Sequence, residues 1–230
     1  MKHADVPPLP EAAAALFGGA VDTAVRYARI LAGAGVERGL LGPREVDRVW
    51  DRHVLNSAVV AELLTPGERI VDLGSGAGLP GIPLVLARPD LRVTLIEPLL
   101  RRSEFLREVI TELDIDCRVV RGRAEDGAVR EQVGEVDAVV SRAVASLDKL
   151  ARWSARLLSP GGRMLAIKGD RAEQEIDEHR QVLRMLGLNQ VSVLKCGAGF
   201  VDPPVTVVVG FQGSGESEGR AGRSPGRKRR

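Results

Sequence analysis

Aromatic residues are scarce in this chain of 230, which has only Phe17, Tyr27, Trp50, Phe105, Trp153, Phe200 and Phe211. So few rings exclude a platform that stacks several single-stranded bases in succession. Cysteine is scarcer still. Cys117 and Cys196 lie far apart, with no histidine at ligand spacing, which argues against a metal site and reads as two buried free thiols. No apolar run approaches the ~20 residues of a membrane span. Met1-Lys2-His3-Ala4-Asp5, with Pro7 and Pro8 behind it, lacks the apolar core of a signal peptide, so the expectation is a cytoplasmic protein with no membrane contact. Net charge is small at +2 but unevenly spread: Gly213 to Arg230 holds six basic residues against two acids, a tail of +4 that leaves the body at −2. The run Gly213-Ser214-Gly215-Glu216-Ser217-Glu218-Gly219 has no apolar residue to pack, so residues 213–230 read as a disordered basic tail.

What is present is an ordinary globular composition, 44% hydrophobic and 28% charged, in a length that suits one α/β domain with additions at its ends. From Leu9 to Leu64 apolar residues such as Val21, Ala24, Val25, Ala28 and Leu31 recur at spacings of three and four. Three or four helices are expected there, forming a cap over residues 1–66 that packs on the main domain. From Arg69 onward short β-branched runs alternate with helical segments: Ile70–Leu73, Val93–Ile96, Arg118–Val120, Ala138–Val140 and Met164–Ile167. That alternation predicts a mostly parallel sheet covered on both faces. The last two runs, Val191–Leu194 and Val205–Gly210, follow one another without a helix, which predicts an antiparallel strand closing one edge. The main domain then spans residues 67–212, with seven strands in all.

The chain is organised around Ile70-Val71-Asp72-Leu73-Gly74-Ser75-Gly76-Ala77-Gly78-Leu79-Pro80-Gly81-Ile82-Pro83. A strand closes on an acid, a glycine-dense turn follows, and an apolar helix begins behind prolines allowed in a first turn. Four glycines in eight residues suggest a ligand lying on main chain. The spacing Gly76-x-Gly78-x-x-Gly81, with Glu97 downstream, also satisfies a dinucleotide fingerprint and leaves an NAD(P)-linked oxidoreductase open. Asp72 favours a different ligand. A carboxylate beside the loop suits an ammonium and a sulfonium, as in S-adenosyl-L-methionine, and would repel a pyrophosphate.

Four blocks in order then carry a resemblance: Asp51-Arg52-His53-Val54-Leu55-Asn56-Ser57, the segment Asp72 to Leu84, Ser141-Arg142-Ala143-Val144-Ala145, and Lys168-Gly169. Over about Arg52 to Glu175 the chain resembles the bacterial small-subunit (16S) rRNA guanine-N7 methyltransferases, also called glucose-inhibited division protein B. The resemblance implies a Rossmann-like class I methyltransferase using S-adenosyl-L-methionine, acting on N7 of a guanine in small-subunit rRNA or the small ribosomal subunit. It implies cofactor contacts at Gly74, Leu79, Ala124, Glu125 and Arg142. A monomer is expected, and a non-catalytic RNA-binding assembly factor on the same fold is the other reading.

Around these, Asp72 and Gly76 belong to the loop, and Glu97 ends the second strand where two oxygens can accept from both ribose hydroxyls, or where an acid simply caps the next helix. Arg142 has two candidate tasks, the methionine carboxylate or the target nucleotide, set against a structural ion pair. Lys168 reads as a phosphate ligand or a snorkelling surface lysine, and Arg52 as an RNA contact. His53, on a helix, is expected to pair with Asn56 or Ser57 and to order the cap. No general base is expected, because N7 already presents a lone pair. RNA is expected to be met as a folded shape with one extruded base.

Overall fold

The computed structural model describes residues 1–213. Its strands in chain order are β1 (Arg69–Leu73), β2 (Arg92–Glu97), β3 (Arg118–Arg121), β4 (Val136–Arg142), β5 (Leu158–Lys168), β6 (Leu188–Cys196) and β7 (Val205–Gln212). They form one sheet of order β3-β2-β1-β4-β5-β7-β6. The first five are parallel, with Val71 opposite Thr94 on one side and Val139 on the other. β7 runs antiparallel to both β5 and β6, so the antiparallel strand lies one place in from the edge and β6 is outermost. The basic tail expected over residues 213–230 lies, from residue 214 on, outside the described residues.

Sheet order reverses between β1 and β4, and such a switch point leaves a crevice outside the carboxyl ends of the strands. Both faces of β1 are covered, because successive side chains point to opposite sides. Ile70 enters the core that holds Tyr27, Leu55, Ile82, Leu95 and Phe105. Val71 and Leu73 enter the other, with Val139, Leu147 and Met164. Helices α4 (Gly81–Ala87) and α5 (Leu100–Leu113) share the first core with the cap. On α5, Phe105, Leu106, Val109 and Leu113 make the buried stripe, and Asp114 ends it in a left-handed conformation at φ 54°. Helices α6 (Gly127–Val133), α7 (Leu147–Ser154) and α8 (Ala172–Met185) complete the layers.

The cap holds α1 (Glu11–Phe17) and α2 (Val21–Ile30), but regular helix stops there. Wide π-type turns at Leu31–Gly35 and Val49–Leu55, 3-10 turns at Pro43–Arg48 and Val59–Leu63, and the single turn α3 (Asn56–Ala58) replace the further helices expected from periodicity. Gly33 is required where it stands. A Cβ there would collide with the backbone of Lys2, whose carbonyl accepts the Ala34 N–H at 3.0 Å. The cap is fastened to the sheet by Arg163 of β5, which donates to both Glu68 oxygens at 2.8 Å and to the Leu63 carbonyl.

Candidate active site

The glycine loop between β1 and α4 is closed by its own backbone donors. Gly74 and Ser75 N–H bond to the Ile96 carbonyl, and Gly78 and Leu79 N–H to that of Ser75. Gly76 N–H donates to Glu97 Oε2 at 3.0 Å, and Gly81 N–H to Asp72 Oδ2 at 3.0 Å. A pyrophosphate would need such donors free, and here carbonyls and carboxylates hold them. The dinucleotide reading of the loop therefore finds no support in its geometry.

Asp72 does not reach the cleft as expected. It is fully buried beneath the loop, on the same face as Ile70, and its charge acts on the start of α4. Burial pushes its carboxyl up to about 7, and Oδ1 has no hydrogen-bond partner among the described residues. Tyr27 of α2 comes down on the loop from the cap side and donates to the Ala77 carbonyl at 2.9 Å. Burial, then the Asp72 carboxylate, raise its phenol well above the ordinary tyrosine value.

Beyond the loop a small cleft, about 90 Å³, opens at the carboxyl ends of β1 to β4. Gly74, Ile96, Ala124, Glu125 and Val144 line it, and Trp153 of α7 forms one wall. Gly74 takes φ 75°, and a Cβ there would stand 2.8 Å from a Val144 methyl group. Val144 is delivered by Ala143, a non-glycine residue at φ 52°, which turns the chain sharply as β4 ends. Glu97 is buried at the end of β2, between the cleft-lining Ile96 and Pro98, with Oε1 accepting from Leu99 N–H at 2.9 Å. Each of its oxygens keeps a lone pair for a hydroxyl donor. Glu125 is more than one-third exposed, with Arg123 3.9 Å away. Trp153, Val144 and Tyr27 are site residues that sequence reasoning missed.

Arg142, at the end of β4, is turned toward the cap. Its Nη1 donates to the His53 carbonyl and to Ser57 Oγ, both at 3.2 Å, and its Nη2 to His53 Nδ1 at 3.0 Å. All three acceptors are neutral, and no carboxylate pairs with it among the described residues, so the structural ion pair is not the explanation for this guanidinium. The opposite ring nitrogen of His53 meets Glu45 Oε2 at 2.9 Å, and Glu45 Oε1 takes Arg52 at 3.1 Å. His53 thus bonds across to β4 instead of along its own helix, and Ser57 meets only its carbonyl, at 2.6 Å. Arg52 is half exposed, as a phosphate contact requires. Lys168 is not. Its side chain is 11% exposed, and its ammonium donates to the Ala145 carbonyl at 3.0 Å and to Glu175 at 2.8 Å, bracing the loop after β4 where a phosphate ligand was expected.

The structure thus brings Gly74, Ala124 and Glu125 to one cleft, bonds Gly76 to Glu97 behind it, and brings Arg142 with Arg52 to a second cluster against the cap. A family model described as "rRNA small subunit methyltransferase G" matches residues 20–203. The chain belongs to that family. A relative from Mycolicibacterium gilvum (strain PYR-GCK), named ribosomal RNA small subunit methyltransferase G, is 69% identical over 97% of this chain and 99% of its own length. One of the same name from Mycolicibacterium smegmatis is 64% identical over 99% and 98%. Among solved structures, the S-adenosylmethionine-dependent methyltransferase SibL in its apo form aligns with TM-score 0.55 at 21% identity, over 81% of this chain and 62% of that one. TYW2 of M. jannaschii in complex with AdoMet aligns at 0.53 and 19%, over 70% and 76%. These place the fold among the class I methyltransferases. Family membership makes the chain an S-adenosylmethionine-dependent methyltransferase. The residues present fit that cofactor: a glycine at φ 75° lining the cleft, the Glu97 carboxylate beside it with lone pairs to spare, and at the end of β4 a half-buried guanidinium with no carboxylate partner among the described residues.

Proposed function

We propose that this protein methylates N7 of a specific guanine in 16S rRNA, on naked RNA or the small ribosomal subunit, as a monomer in the cytoplasm. The match to the family over residues 20–203 carries this reading. No helix among the described residues is long and apolar enough to cross a membrane.

In this reading S-adenosyl-L-methionine, when bound, supplies a methyl group on a positively charged sulfur. Gly74 and Gly76 add no side chain of their own to the loop, Val144 lies over Gly74 at the cleft wall, Ala124 and Glu125 flank the base, and Leu79 is part of the loop. Glu97 accepts from the ribose, using lone pairs its backbone donors leave free. Asp72 acts indirectly, by holding the Gly81 N–H and so the shape of the loop. Arg142 receives the methionine carboxylate. A purine N7 needs no base to expose its lone pair, so alignment is the protein's main contribution. His53 suits this division of labour, since both its ring nitrogens are engaged with Arg142 and Glu45.

RNA is met on the cap side by Arg52, which can exchange Glu45 for a phosphate. The test is transfer of tritiated methyl groups to small subunits from cells lacking this protein, with the modified base identified by mass spectrometry. Label at guanine N7 is the expected result. Cofactor binding without label in RNA would replace this reading with an assembly factor.

A further inference from the structure

Arg142 carries five N–H donors, and its contacts to His53 and Ser57 engage Nη1 and Nη2 but not Nε. Nε–H and the second N–H of Nη2 have no acceptor among the described residues, and these are adjacent nitrogens, the pair a carboxylate can take with two oxygens. Which donors remain depends on His53. A guanidinium can only donate, so the Nδ1 facing it at 3.0 Å has to accept. The imidazole proton is therefore on Nε2, where Glu45 Oε2 receives it at 2.9 Å.

We propose that His53, fixed by Glu45 as the neutral Nε2–H tautomer, is the positioning residue that aims Arg142 at the cofactor carboxylate, and that its protonation releases Arg142 and weakens cofactor binding. This rests on the reading that Arg142 holds that carboxylate. A proton on Nδ1 would set N–H against N–H and place two positive groups in contact. The groups facing the ring are Glu45 and Arg52 from the cap and Arg142 from β4, with Arg48 and Tyr27 beyond them. Burial first, then the Arg142 charge, lower the His53 pKa below the ordinary histidine value, while Glu45 opposes the shift. The ring is thus neutral at neutral pH and charges only in acid. Glu45, drawn below the usual carboxylate range chiefly by its hydrogen bond to His53, stays ionised there.

The tautomer is tested on the cofactor-free full chain by ¹⁵N NMR of the imidazoles, a spectrum with only His3, His53 and His179. The expected result at about pH 7.5 is a protonated Nε2 and a bare Nδ1. The opposite tautomer or an imidazolium would overturn the proposal. The positioning is tested by calorimetric binding of S-adenosyl-L-methionine. His53→Ala is expected to bind roughly tenfold more weakly at about pH 7.5, and His53→Asn, whose amide oxygen can stand in for Nδ1, to recover to within about threefold of the parent. Once the pH is low enough for the NMR spectrum to show His53 charged, the parent is expected to be weakened by several-fold more than the Asn variant. Asp72 also titrates in this range but does so in both proteins, so the difference belongs to His53. If His53→Ala binds like the parent while Arg142→Ala does not, the proposal fails and the Arg142 reading stands. If Arg142→Ala binds normally, the Arg142 reading itself fails. Thermal melting of each variant separates lost affinity from lost fold.

Discussion

Val144 lies across Gly74 so closely that a single added carbon on the glycine would stand 2.8 Å from one valine methyl and 2.9 Å from the other. The end of β4 thus closes over the end of β1, and Gly74, at φ 75°, is fixed by both contact and backbone. Gly74→Ala is expected to cost about 1–2 kcal/mol in backbone strain alone. Cofactor affinity, read by calorimetry, should fall more than about tenfold as Val144 is displaced. Adding Val144→Ala should return part of the affinity, since it removes the clash and leaves the strain. No recovery would mean that the steric reading is wrong.

Asp72 gives a pH signature opposite to that of a paired carboxylate. Its folded-state value of about 7 lies above the unfolded value of ~3.9, so the native chain binds this proton more tightly. Its contribution to stability is therefore present in acid and is lost as the pH rises toward 7. Asp72→Asn keeps an acceptor for Gly81 and cannot ionise. The stability of this variant relative to the parent should improve by roughly 2–3 kcal/mol between pH 5 and pH 8. Urea unfolding at the two pH values measures this, and a pH-independent difference would count against a buried, ionising Asp72.

Arg163 of β5 pairs with Glu68, just ahead of β1, and reaches the Leu63 carbonyl of the last cap turn, with both paired side chains close to one-eighth exposed. Glu68→Ala leaves a largely buried guanidinium with only the Leu63 carbonyl, so a loss of about 3 kcal/mol is expected in chemical denaturation. The pair is remote from the cleft. Cofactor affinity should change less than about threefold, and a larger change would show that the fastening also shapes the site.

Arg52 and Lys168 separate an RNA contact from an internal brace. Arg52→Ala should weaken RNA binding and lower the slope of log affinity against log salt by about one, the mark of one lost phosphate contact. Lys168→Met should leave that slope unchanged and lower the melting temperature, because it strips Glu175 and the Ala145 carbonyl of their partner. Equal slopes for Arg52→Ala and the parent would remove Arg52 from the interface.

The strands could be read because parallel strands buried on both faces leave continuous β-branched runs, and the glycine loop because its φ requirements restrict the residue type. Where local chemistry and tertiary pairing disagreed, reading failed. Pro160-Gly161-Gly162 has the composition of a turn yet lies within β5, whose pairing with β4 shifts register between Val136 and Ala138. Gly33 has the local look of a helix breaker, but its reason is the Lys2 backbone, far away in sequence. Asp72 was legible in part. The period of two puts it on the Ile70 face and away from the cleft, a signal the charge argument overrode. Val144 and Trp153 carried no signal, because an apolar residue beside a cleft looks like one in the core. Lys168 and His53 depended on partners 23 and 89 residues away.

The place of β7 bears on how the molecule is made. It is the last strand of the described chain, yet it is threaded between two earlier ones and pairs with both. A nascent polypeptide halted before Val205 would leave β5 and β6 each with an open row of amides and carbonyls, and nothing to hold β6 in the sheet. Sheet assembly therefore cannot proceed strictly from first strand to last. A chain cut at that point would lose two ladders at once, and with them one of the two partners of the strand that carries Arg163.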